Sequence, residues 1–143
     1  SSITEIRAWD IIEHIGDCDH VSEWACRRCA AERGFGGEDF VELRPERHPL
    51  AQIHVMNEAY RILVPGGRFD IEVPTTDGRG AHQDPQHRSY WNLNSFLYFT
   101  EGDAHRTRFK NGTQARFKVI TSSQAKHPGE VWKLKIILEA VKP

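Results

Sequence analysis

A helix that must stop abruptly and feed straight into a strand is the strongest constraint in this sequence. Over residues 50–63 the apolar residues Ile53, Met56, Tyr60 and Leu63 recur at i, i+3, i+7 and i+10. That spacing is one face of a helix. Pro49 suits the first turn, where a missing N–H leaves no bond unmade. Pro65-Gly66-Gly67 then stops the helix hard. In residues 68–74, Phe69, Ile71 and Val73 alternate with Arg68, Asp70 and Glu72. That alternation predicts a strand.

The rest of the chain is read around this unit. Residues 2–9, with Ile3, Ile6, Ala8 and Trp9, form a strand-like stretch ending at Asp10. Residues 21–32 read as a helix in which Ala25, Cys29 and Ala30 share a face, closed by Gly34, Gly36 and Gly37. Residues 39–48 are charged and loop-like. Residues 75–94 form a polar loop rich in His, Asp and Trp, and residues 94–100 fit either a short helix or a strand. Residues 106–110 and 113–121 read as a hairpin, because Asn111-Gly112 supplies the two positive-φ positions of a tight turn. In residues 130–141, Trp132, Leu134, Ile136, Leu138 and Ala140 alternate with Val131, Lys133, Lys135, Ile137 and Glu139. The front of the chain is α/β in character and the back is antiparallel.

The 143 residues make one domain's worth, so a single domain over 1–143 is expected. Lys and Arg number 19 against 20 Asp and Glu, for a formal charge of −1. Without a basic excess, general nucleic-acid binding is disfavoured. No apolar run approaches the roughly 18–20 residues of a membrane span. Ser1-Ser2-Ile3-Thr4-Glu5 carries neither the basic nor the apolar region of a signal peptide. The three cysteines are too few for a disulfide scaffold, so a reducing, cytoplasmic location is expected.

Two stretches carry a family resemblance. Asp10-Ile11-Ile12-Glu13-His14-Ile15 follows the first strand, and Asn57-Glu58-Ala59-Tyr60-Arg61-Ile62-Leu63-Val64-Pro65-Gly66-Gly67-Arg68-Phe69 runs from helix into strand. Together they resemble the second half of the class I S-adenosylmethionine-dependent methyltransferases. In that family an acidic residue at the end of strand 4 is followed by Glu-His. A helix ending in Arg-x-Leu-x-Pro-Gly-Gly then leads into strand 5. The resemblance spans residues 3–143. It implies an α/β fold: a partial Rossmann-like methyltransferase sheet of order 4-5-7-6, last strand antiparallel, with flanking helices.

The same resemblance implies methyl transfer from S-adenosylmethionine to an unidentified acceptor. Ligands of such sheets bind outside the carboxyl ends of the strands. Asp10, His14 and His87 are the implied catalytic residues, with Asp10 or His14 placing the acceptor and His87 accepting a proton. Asp10 and Glu13 are implied on the cofactor side, and Asp77, Asp84 and Trp91 on the substrate side. The family's Gly-rich turn after strand 1 and its acidic residue after strand 2 have no counterpart. Gly34-Phe35-Gly36-Gly37 follows a helix rather than a strand. The resemblance thus starts at strand 4, with no counterpart of strands 1 to 3, and on this reading strand 4 would have a bare edge. A homodimer, or pairing with a separate N-terminal half, is expected through that edge.

Other groups carry other chemistry. His82-x-Asp84-x-x-His87 could seat a divalent metal for a hydrolase, supply a general base, or simply form a turn at Asp84-Pro85. Under the methyl-transfer reading none of these residues is a metal ligand. Cys18, His20, Cys26 and Cys29 form a possible zinc set, weakened because Cys26-x-x-Cys29 falls inside a helix. Tyr90, Trp91, Phe96, Tyr98 and Phe99 either line a substrate pocket or cover the sheet, and cover is the favoured reading. Arg27, Arg28 and Arg33 read as a solvated helix face. Asn111-Gly112-Thr113 matches a glycosylation sequon that the turn already explains. A non-enzymatic remnant acting as an oligomeric interaction module is the alternative to methyl transfer.

Overall fold

In the computed structural model of the chain, residues 2–15, 51–102 and 112–143 are described. The predicted helix over 21–32, the loop over 39–48, the strand over 106–110 and the set Cys18, His20, Cys26 and Cys29 lie outside them, as do Arg27, Arg28, Arg33 and Asn111. Strand β1 (Ile3–Trp9) leads into a single 3-10 turn at Ile12–His14. Helix α1 (Ala51–Ile62) turns Ile53 and Met56 into the core, as their spacing predicts, together with Ala59, while Tyr60 is half-buried and Leu63 already belongs to the next strand. It runs directly into β2 (Leu63–Pro74).

The strand therefore begins at Leu63 rather than at Arg68. Ile3 of β1 pairs with Leu63 and Glu5 with Arg68, so two steps along β1 match five along β2. Pro65-Gly66-Gly67 takes up the excess as a bulge, with Gly66 at φ +74. The Pro-Gly-Gly run ends the helix, as expected, but does so from inside the strand.

β1 and β2 are parallel. Strand β4 (Val131–Ala140) lies antiparallel between β2 and β3 (Phe117–His127). Among the described residues the architecture is a mixed α/β fold with one four-stranded sheet and few helices, in the order β1-β2-β4-β3. The sequence-derived order 4-5-7-6 differs from this as written, because its labels follow the family's numbering and not the four strands described here.

One face of the sheet carries Ala8, Phe69, Ile71, Val73, Leu134, Ile136 and Leu138. Against it pack α1 and the aromatic residues Trp91, Phe96 and Phe99. Each large apolar side chain buried here contributes roughly 1.5–3 kcal/mol. Two further short helices, α2 (Gly80–Gln83) and α3 (Leu93–Leu97), lie in the long connection after β2. Asn92 and Ser95 cap α3 reciprocally, which settles residues 94–100 as helical in their first part.

The predicted hairpin is corrected. Residues 113–116 are not in the ladder, and β3 begins at Phe117. The Oδ1 of Asn57 on α1 accepts from the N–H groups of Gln114 (2.8 Å) and Ala115 (3.0 Å), and its Nδ2 donates to the Gly112 carbonyl (3.0 Å). Those backbone groups are bonded to a side chain instead of a neighbouring strand. The turn that joins β3 to β4 is residues 128–130, with Gly129 at φ +78 and Glu130 at φ +61.

Candidate functional site

The parallel pair sets the site. Trp9 is opposite Glu72, and the Asp10 N–H donates to the Glu72 carbonyl at 2.9 Å. Asp10 then takes φ +51, a left-handed conformation that Asp tolerates. The chain leaves the sheet there, and the 3-10 turn buries Ile12 and Glu13, both 2% exposed.

The loop before α3 is clipped to that turn. The Glu13 carbonyl accepts from the N–H groups of Arg88 (2.7 Å) and Ser89 (3.0 Å). The Ser89 hydroxyl donates to the Ile12 carbonyl (3.0 Å) and accepts from the Trp91 indole (2.7 Å). This network brings the rings of His14 and His87 edge to face, with centroids 4.9 Å apart. The donor atoms of Glu13, His14 and His87 lie within 4.8 Å of one another.

A cleft of about 240 Å³ opens here, lined by Asp10, Glu13, His14, Asp84, His87 and Lys133 among others. The His87 side chain is 6% exposed, and its Nδ1 stands 2.8 Å from the Ala81 carbonyl. A carbonyl oxygen only accepts, so Nδ1 carries the hydrogen and the neutral ring keeps its lone pair on Nε2. Both carboxyl oxygens of Glu13 are buried without a hydrogen-bond partner among the described residues.

Burial pushes the Glu13 carboxyl above its ordinary value. Its own backbone amide offsets part of that rise. Asp10 adds to the rise, and the two histidines oppose it. Desolvation lowers Lys133, but its contacts with Asp10 and Glu72 more than offset this, so its ammonium is raised. Lys133 donates to Asp10 and, at 3.3 Å, to Glu72.

Asp84 is both turn and wall. Its Oδ1 accepts from the Gln86 N–H at 2.8 Å, and its Oδ2 stands 3.8 Å from His87 Nε2. His82 is not gathered with Asp84 and His87 into one ligand-spaced group among the described residues. Its ring lies against Tyr90, with centroids 4.8 Å apart. Asp77 is not among the residues lining this cleft, and its Oδ2 accepts from Thr75 (3.1 Å) and Gln124 (2.9 Å). Trp91 is a core residue, 3% exposed and stacked on Phe96. With Gln52, Tyr90, Ser95, Tyr98 and Phe99 it also lines a separate apolar hollow of about 220 Å³.

Asp10, Glu13, His14, Asp84 and His87, singled out from sequence, thus share one cleft. Lys133 was missed. Its outward phase on β4 is legible, but its place beside Asp10 follows from the pairing of Pro74 with Lys133, which one strand alone does not reveal. No helix among the described residues is long and apolar enough to cross a membrane. No protein-family model matches the chain, and no curated protein matches it.

Proposed function

We propose that this chain carries the acceptor side of an S-adenosylmethionine-dependent methyltransferase-type site. The observation that carries the reading is the position of the Asp10–His14 segment. It emerges from the carboxyl end of β1 beside that of β2, where ligands of such sheets bind. If β1 to β4 stand for the family's strands 4 to 7, the order β1-β2-β4-β3 reads 4-5-7-6. The last strand is then the antiparallel insert.

The residues fit the reacting end of the cofactor and not its adenosine. The cleft of about 240 Å³ is below the roughly 300–1,000 Å³ of pockets that enclose a whole small molecule. No Gly-rich strand–turn–helix lies among the described residues to approach the rest. When bound, the cofactor supplies an electrophilic methyl group.

This chain's own residues orient the acceptor and take its proton. Nε2 of His87 faces the cleft as the proton acceptor, fixed by the Ala81 carbonyl behind it. Lys133 holds the Asp10 carboxylate at the strand end. S-adenosylhomocysteine titrated calorimetrically into the chain should bind saturably, and Asp10→Ala should weaken it at least about tenfold. No heat at about 1 mM ligand overturns the reading.

The interaction-module reading has its own support. Among the described residues β1 pairs with β2 alone, and Ile3 and Trp9 on it are 41% and 47% exposed. Such an edge is a template for a second strand, from another copy or a separate half. A monodisperse monomer by light scattering at micromolar concentration overturns the homodimer.

A further inference from the structure

We infer that Glu13, His14 and His87 form a binding site for one divalent transition-metal cation. The site does not depend on the methyl-transfer reading, and with the cation bound Nε2 of His87 is a ligand rather than the proton acceptor. It differs from both metal sets visible in the sequence, the His82-Asp84-His87 pattern and the four-residue cysteine–histidine set.

The donor set is the first argument. Two imidazoles and one carboxylate suit zinc and iron(II), and they leave coordination positions open. The open side here is the cleft, which Asp10 and Asp84 also line.

Glu13 is the second argument, and it is independent of the first. Its side chain is 2% exposed, faces the cleft, and has neither oxygen hydrogen-bonded among the described residues. An unpaired buried carboxyl is costly, and buried carboxylates are normally paired or bound to a metal. Lys133 does not serve it, being held by Asp10 and Glu72.

His87 is the third. A metal-ligating histidine characteristically donates its other ring N–H to a carbonyl or carboxylate, which fixes ring and tautomer. Nδ1 of His87 has that bond to Ala81, and Nε2 is left as the ligand atom. Bonds of about 2.0–2.1 Å at tetrahedral angles need donor atoms about 3.3 Å apart. The group spans 4.8 Å at most. Ligation therefore draws the donors closer by side-chain rotation, and His14 is the exposed member of the three.

The test uses the full chain stripped with a chelator and titrated with Co²⁺, then with Zn²⁺ as competitor. Visible absorption reports ligation, and elemental analysis after gel filtration reports stoichiometry. One equivalent is expected, and it should persist when Cys18, Cys26 and Cys29 are all replaced by Ser. Glu13→Gln and His14→Gln should each weaken it at least about tenfold. His82→Gln should leave it unchanged. His14 is exposed, so that variant remains informative even if Glu13→Gln fails to fold. Absence of binding, indifference to His14→Gln, or loss in the cysteine variant overturns the site.

Discussion

Nδ1 of His87 stands 2.8 Å from the carbonyl oxygen of Ala81, six residues earlier in the same loop. The bond closes the α2 loop on itself and decides which ring nitrogen faces the cleft. Replacing His87 by Ala removes that bond and empties a nearly filled site. It should cost about 1–2 kcal/mol in urea unfolding of the chelated protein. His87→Asn, whose amide can donate near the Nδ1 position, should recover part of that loss. Equal destabilisation by the two variants would show that the bond contributes nothing.

Glu13 predicts a pH dependence of stability whose sign follows from burial. Its folded-state value is raised above the 4.5 of a free glutamate. Between those two values the native chain holds more protons than the unfolded chain. Its contribution is therefore fully present below about pH 4.5 and lost as pH rises through the raised folded value. Glu13→Gln stays neutral throughout. In chelator it should melt higher than the parent at neutral pH, and the difference should vanish under acid. Thermal melts at matched pH check this, and a difference constant with pH would contradict it.

The elements legible in the sequence are those whose burial repeats along one segment. Ile53 and Met56 on α1, and Leu134, Ile136 and Leu138 on β4, announce their faces by period alone. The start of β3 was not legible, because Asn57 takes up the Gln114 and Ala115 N–H groups from 57 and 58 residues away. The same limit applies at the site. His82-x-Asp84-x-x-His87 looks like a ligand set by spacing, yet the Ala81 carbonyl and the Glu13 backbone turn His87 toward His14. Side chains brought together by loop clipping leave no periodic trace.

Asn57 yields a third prediction. It makes three hydrogen bonds to the segment before β3, two as acceptor and one as donor. Asn57→Ala leaves those backbone groups to water or unpaired, at a cost of about 1–2 kcal/mol. Asn57→Asp keeps the acceptor and loses the donor to Gly112, so it should cost less. Amide hydrogen exchange at Gln114 and Ala115 should accelerate in Asn57→Ala and remain slower in Asn57→Asp. Unchanged exchange in both would mean that the latch does not order this segment.

Gly80 lets the α2 loop lie against β4, and this contact can be tested by a paired substitution. A Cβ at Gly80 would meet Val131 Cγ1 at 2.6 Å and Pro74 Cβ at 3.4 Å. The backbone there does not need a positive φ, so an alanine is opposed by the contact and not by its own conformation. Gly80→Ala should therefore destabilise by about 1–3 kcal/mol. Val131→Ala removes the opposing methyl groups at the edge of the cleft, at a modest cost of its own. If the contact is the cause, the double variant must be more stable than the sum of the singles, by about 0.5 kcal/mol or more. Additive losses in denaturant unfolding would place the cost of Gly80→Ala elsewhere. Because Ala81 follows directly and anchors His87, the rescued double variant should also restore the slow exchange of backbone amides around His87.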